Sequence, residues 1–104
     1  MDPALLEMLT ETVQHAAYTG QDSYGTPTFA APVARPARVE YGTQRFTTAQ
    51  GQERVSRALV YFAWDFPLDL RDQVTLDDGS RPALQRIDRF KDEVGNPSHY
   101  EVYI

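Results

Sequence analysis

Apolar and polar positions alternate most strictly between residues 53 and 64. Val55, Arg57, Leu59, Tyr61 and Ala63 interleave with Ser56, Ala58, Val60, Phe62 and Trp64. Period-two alternation sends the two sets to opposite faces of a strand. From Ala58 to Trp64 both sets are apolar, which predicts a central strand covered on both sides, or one with one face in a core and the other against a partner. The preceding Ala49-Gln50-Gly51-Gln52 supplies a polar turn in which Gly51 can take a positive φ. Residues 45–65 therefore read as a long hairpin about which the rest of the chain is organised.

The same pattern places the other elements. Asp2-Pro3 caps and opens a short helix over about residues 2–11, with Leu5, Leu6 and Leu9 along one stripe. A β domain is expected to fill residues 12–104, giving one domain over 1–104. Residues 12–19 alternate well enough for a first strand, and residues 20–27 are dense in turn formers. Pro27, Pro32 and Pro36 make the next stretch an edge or irregular strand, with residues 37–41 as its paired part. Val74 and Leu76 share a face of a short strand. Asp78-Gly79 then reads as a tight hairpin turn, with residues 83–90 returning from it. Residues 92–98 form a loop. Tyr100, Val102 and Ile104 line one face of a last strand whose apolar end is expected to dock. The fold class read from this pattern is all-β: a small β-barrel or sandwich with a short N-terminal helix and a long central hairpin loop.

Composition narrows the function. The chain has 104 residues, 41% hydrophobic and 12% aromatic, which fits one modest core. Its formal charge of −5 and lack of any Lys/Arg run argue against tight, phosphate-driven binding to nucleic acid. With no cysteine, disulfides and thiolate metal sites are excluded. No apolar run approaches a membrane span, and MDPALLEML has neither a basic leader nor a long apolar stretch, so intracellular synthesis and no membrane partner are expected.

Candidate chemistry is sparse. His15 and His99 stand far apart and outside any paired-ligand spacing, so both read as surface or satisfied histidines. No nucleotide-binding or nucleophile motif occurs, and no catalytic residue, metal site, cofactor or enzymatic activity is expected. Asp65, Asp69, Asp72, Asp77 and Asp78 cluster in sequence but lack the spacing of a calcium loop, so they read as caps and turn formers. Trp64 and Phe66 either finish the core or anchor a subunit interface. The candidate functional residues are the polar hairpin tip, Thr47, Thr48, Gln50, Gly51, Gln52 and Glu53, as a channel or partner loop. Leu5, Leu6, Leu9, Trp64, Phe66 and Tyr103 are the candidate interface anchors.

The order of these features resembles the small head-completion, head-closure or stopper proteins of tailed bacteriophages. The likeness runs from TVQHAAYTGQDSYGTPTFAAPVARPARVEY, with its Thr-Gly loop, Tyr-Gly-x-Pro turn and ARVEY strand, through the apolar VSRALVYFAWD. It is best over DLRDQVTLDDGSRPALQRIDRFKDEVGNPSHYEVYI, where GNPSHYEVYI is the most specific piece. The proline-rich stretch from Pro27 to Pro36 departs from the family pattern. The resemblance implies a small β-barrel with extended loops. It also implies a homo-oligomeric ring in the virion neck, assembled in the host cytoplasm between a portal–adaptor protein and a tail terminator or tail-completion protein. Such a ring would help retain packaged DNA while touching it only non-specifically. A tail-completion protein of the same joint, or a small cytoplasmic protein-binding β module, is the alternative.

Overall fold

The computed structural model describes residues 7–48 and 50–104. They form eight strands: β1 (Glu11–Ala16), β2 (Tyr18–Gln21), β3 (Pro27–Phe29), β4 (Val33–Thr47), β5 (Glu53–Ala63), β6 (Gln73–Thr75), β7 (Arg86–Lys91) and β8 (Pro97–Tyr103). Six of them make one antiparallel sheet in the order β6-β1-β4-β5-β8-β7, and β2 pairs with β3 in a separate hairpin. The protein is all-β.

The expected barrel is not closed among the described residues. β6 and β7 are the two edges of an open sheet, and no ladder joins them. Instead, two connections cover one face. Residues 64–72 lead from β5 to β6, and residues 76–85 lead from one edge of the sheet to the other. Phe66, Leu68, Leu76 and Leu84 on these connections enter the same core as Val13, Ala37, Ala58, Val60, Phe62, Val74, Tyr100, Val102 and Ile104 from the sheet. The Leu68 carbonyl accepts from Arg89 on β7 at 2.9 Å, while Asp72 bonds to His15 on β1 at 2.8 Å. The 64–72 connection thus reaches toward both edges and substitutes for strand closure.

The helix expected over residues 2–11 falls mostly outside the described residues. Within them, only Glu7 and Met8 have helical backbone, and from Glu11 the chain is strand. β5 takes the central place foreseen for it: Ala58, Val60 and Phe62 are buried on one face, Leu59 and Ala63 on the other. The first strand divides at Ala17, whose carbonyl accepts from Ala30, giving β1 and β2 in place of one run. The early part of β4 pairs with β1, and Pro36 sits one residue outside the β4–β5 ladder, where a missing donor costs that ladder nothing.

Asp78-Gly79 reverses the chain, but its flanks do not form a hairpin. β6 pairs with β1 and β7 pairs with β8. The turn itself belongs to a set. In the units 22–26, 48–52, 76–80 and 92–96, the first N–H donates to the fifth carbonyl and the fourth residue, a glycine, donates back to the first carbonyl. Gly25, Gly51, Gly79 and Gly95 all have φ between +80° and +87°. In units 22–26, 76–80 and 92–96 this is a type I turn followed by a glycine in the left-handed region, where glycine avoids the side-chain clash any other residue meets. Oδ1 of Asp22 accepts from the Tyr24 and Thr26 N–H groups, and Oδ1 of Asp92 accepts from those of Val94 and Asn96 in the same pattern. Proline follows both, so D-x-x-G-x-P is a local repeat visible in the sequence.

Candidate functional site: the β4–β5 arm

β4 and β5 together extend past their neighbours. β1 pairs with β4 only over residues 33–37, and β8 pairs with β5 only over residues 59–63. The Ile104 backbone adds bonds to Arg57 and Ala58. Beyond that point residues 44–47 face residues 53–56 as a two-stranded arm. The register shifts between Tyr41 and Gln44, at Gly42 with φ +150°, as a bulge at the arm's base. A bulge bends and twists the strand that carries it, and the arm is turned toward β7. Arg86 Nη1 donates to the Thr47 carbonyl at 2.7 Å, and Gln85 Nε2 donates to the Val55 carbonyl at 3.3 Å. Phe46 is buried and stacks on Tyr103 with centroids 4.9 Å apart.

All six candidate tip residues lie at the end of this arm. Thr48 and Gln52 close the turn, with Thr48 Oγ1 accepting from the Gln52 N–H at 3.2 Å. Thr47, Thr48 and Gln50 form one wall of a cleft of about 490 Å³ whose other wall is Leu70 and β7. Arg45 lies 4.0 Å from Glu53, with both side chains more than two-thirds exposed, and Arg54 donates to Gln52 at 2.9 Å. An exposed pair at that distance contributes little to stability.

The candidate anchors scatter. Phe66 is buried among Phe62, Tyr100 and His15, with centroids 5.6, 5.6 and 4.9 Å away. It has the core role rather than a free surface. Trp64 is half-buried against Tyr100 at 5.4 Å. Leu9 is buried, and Tyr103 is occupied by Phe46. Leu5 and Leu6 lie outside the described residues.

The clustered aspartates act as acceptors. Asp69 takes the Arg71 backbone and guanidinium at 2.9 Å, which holds its carboxyl below the ordinary range. Asp78 takes the Ser80 N–H and hydroxyl, with the same effect. Asp77 accepts from the Tyr41 hydroxyl at 2.7 Å. That bond is the main reason the Tyr41 phenol is pushed up to about 12. Asp72 is buried and accepts from His15, from the Tyr18 N–H and from the Asp69 N–H. Neither the His15–Asp72 pair nor the Arg35 guanidinium 4.1 Å from the centre of the Phe66 ring was legible from spacing alone.

No group of three or more His, Cys, Asp or Glu side chains is arranged to hold a metal ion among the described residues. Ser98, His99 and Glu101 form a file along β8, with Ser98 Oγ 3.3 Å from Nδ1 and Glu101 3.2 Å from Nε2 of His99. Ser98 is buried, and Phe90 stacks flat on the His99 imidazole at 4.7 Å. No protein-family model matches the chain, and neither does any curated protein sequence.

Proposed function

We propose that this protein is a structural component of the head–tail joint of a tailed bacteriophage. In this reading it is a head-closure protein that joins a ring between the portal–adaptor and the tail and helps retain packaged DNA. The observation that carries the reading is the arm: two strands prolonged past the sheet, ending in a polar tip with no large buried side chain among the described residues of 48–52. An element of this shape suits a channel wall or a neighbouring subunit's groove better than it suits a core. Among the described residues, the outer edge of β4 past residue 37 has no strand neighbour, although Glu11 Oε2 takes the Val39 N–H at 2.6 Å. An edge of that kind can accept an extended segment of a partner. It also supports the second reading, a protein-binding β module.

The tip can be removed without touching the core. Thr47 and Glu53 are register partners, the spacing a two-residue Asn-Gly turn requires. Replacing residues 48–52 with Asn-Gly is expected to leave the fold intact and to move Tm by only a few degrees. Phage particles carrying the replacement should package DNA, then leak it or fail to join tails. Normal yields of full, tailed particles would show that the tip is only a connector.

A further inference from the structure

The two edges of the main sheet, β6 and β7, differ in what they offer to solvent. β6 is three residues long and its central Val74 is fully buried, so that edge is closed. β7 is six residues long and open. Which of its backbone groups point outward follows from the ladder. Ile104 and Ala58 exchange both backbone bonds, which turns the even-numbered residues of β8 toward β5. The odd-numbered ones therefore face β7, and the Tyr103 carbonyl accepts from the Gln85 N–H. His99, Glu101 and Tyr103 stand opposite Phe90, Asp88 and Arg86, so these three use their backbone groups on β8. The N–H and C=O groups of Ile87 and Arg89 point away from the sheet. Among the described residues neither has a backbone partner on that side.

We infer that the free edge of β7 receives an extended segment of a partner protein as an added antiparallel strand. Strand addition satisfies the outward groups of Ile87 and Arg89, and alternation then selects the side chains. Ile87 and the exposed Leu70 both line the cleft of about 490 Å³ beside this edge, so the residue opposite Ile87 is apolar and β-branched. Arg89 forms no ion pair among the described residues, whereas Arg86 is already paired with Asp88 at 2.7 Å. The residue opposite Arg89 is therefore a carboxylate. On the other face Phe90 is exposed, which favours an aromatic residue opposite it. The segment that fits reads aromatic, acidic, any residue, β-branched. A second copy of β7 fits poorly, because the register that pairs Ile87 with Arg89 in both directions sets Asp88 against Asp88. This edge is separate from the arm tip, and the inference does not rest on the head–tail reading.

The test titrates the isotope-labelled protein with the capped peptide STYETVTS and follows amide chemical shifts. The expected Kd is on the order of 1 mM, with the largest shifts and the greatest slowing of hydrogen exchange at Ile87 and Arg89. N-methylation of the peptide's Glu and Val amides, which face β7, should abolish binding. N-methylation of its Tyr and central Thr amides, which face away, should not. The peptide STYKTVTS should bind about threefold more weakly, the scale of one exposed ion pair. Arg89→Ala keeps the outward N–H, so it should bind both peptides alike. Arg89→Pro removes that donor without taking a bond from the β8 ladder, and should weaken both about tenfold. The peptide comparisons use the unmodified protein and hold however the variants fold. The inference is overturned by the absence of a saturable shift, by shifts centred on another edge, or by binding indifferent to N-methylation. Shifts at Ile87 and Arg89 that grow with protein concentration alone would also overturn it, by giving the edge to a second copy. Failure to join a portal–adaptor complex would count against the head–tail reading and leave this inference standing.

Discussion

Phe62→Ala is expected to destabilise the protein by about 3–5 kcal/mol, the usual cost of emptying a buried aromatic site. Phe62 is fully buried near the C-terminal end of β5, between register partners Ala37 on β4 and Tyr100 on β8. Its ring meets Phe66 edge-on at 5.6 Å, so it also holds the 64–72 connection on the sheet. A domain of this size has on the order of 5–15 kcal/mol in total. The change should therefore lower Tm by roughly 15–25 °C in a circular dichroism melt. Tyr24→Ser, at a turn apex that is 93% exposed, is the matching control and should leave Tm nearly unchanged. A small shift for Phe62→Ala would mean that the core is centred elsewhere.

Asp72→Ala is expected to cost about 3 kcal/mol, because it removes one acceptor and strands three donors. His15 Nε2 and the Tyr18 N–H each lie 2.8 Å from the carboxylate, and the Asp69 N–H lies 3.1 Å away. His15 is 3% exposed, so water does not replace the lost partner. The effect should be local as well as global. The Tyr18 bond ties the β2–β3 hairpin to the 64–72 connection, so hydrogen exchange at Tyr18 should accelerate more than exchange in β5. Uniform acceleration across the sheet would show that Asp72 does not hold this junction.

These two sites differ in how far the sequence discloses them. Phe62 follows from alternation, because a strand apolar on both faces needs cover on both, from the core or from a partner. The same holds for Tyr100, Val102 and Ile104, and for Val74 with Leu76. Asp72 does not follow, since its partner stands 57 residues earlier and no local pattern links a carboxylate to a distant imidazole. Asp78-Gly79 was misleading for a related reason. A turn signal reports that the chain reverses, not which strands the two flanks will join. Here the flanks go to opposite edges of the sheet, and residues 76–85 cross the core face between them. The arm was legible at its tip, where Gly51 and its polar neighbours mark the turn. Its bend toward β7 was not, because that depends on the Tyr41–Gln44 bulge and on Arg86 meeting the Thr47 carbonyl. Phe66 shows the converse case. Its character as a large aromatic beside Trp64 left core and interface open, and only the packing around it decides for the core.

Imaging the protein on a portal–adaptor complex tests the head–tail assignment most directly. The purified protein alone should be monomeric or weakly associating at micromolar concentration, since identical acidic subunits repel and a head-to-tail contact needs a template to close. Mixed with the adaptor complex, it should add one closed ring of density on the tail-facing surface, with the β4–β5 arms directed at the central channel. Adaptor particles that carry no added ring under conditions where both components are folded would contradict the assignment.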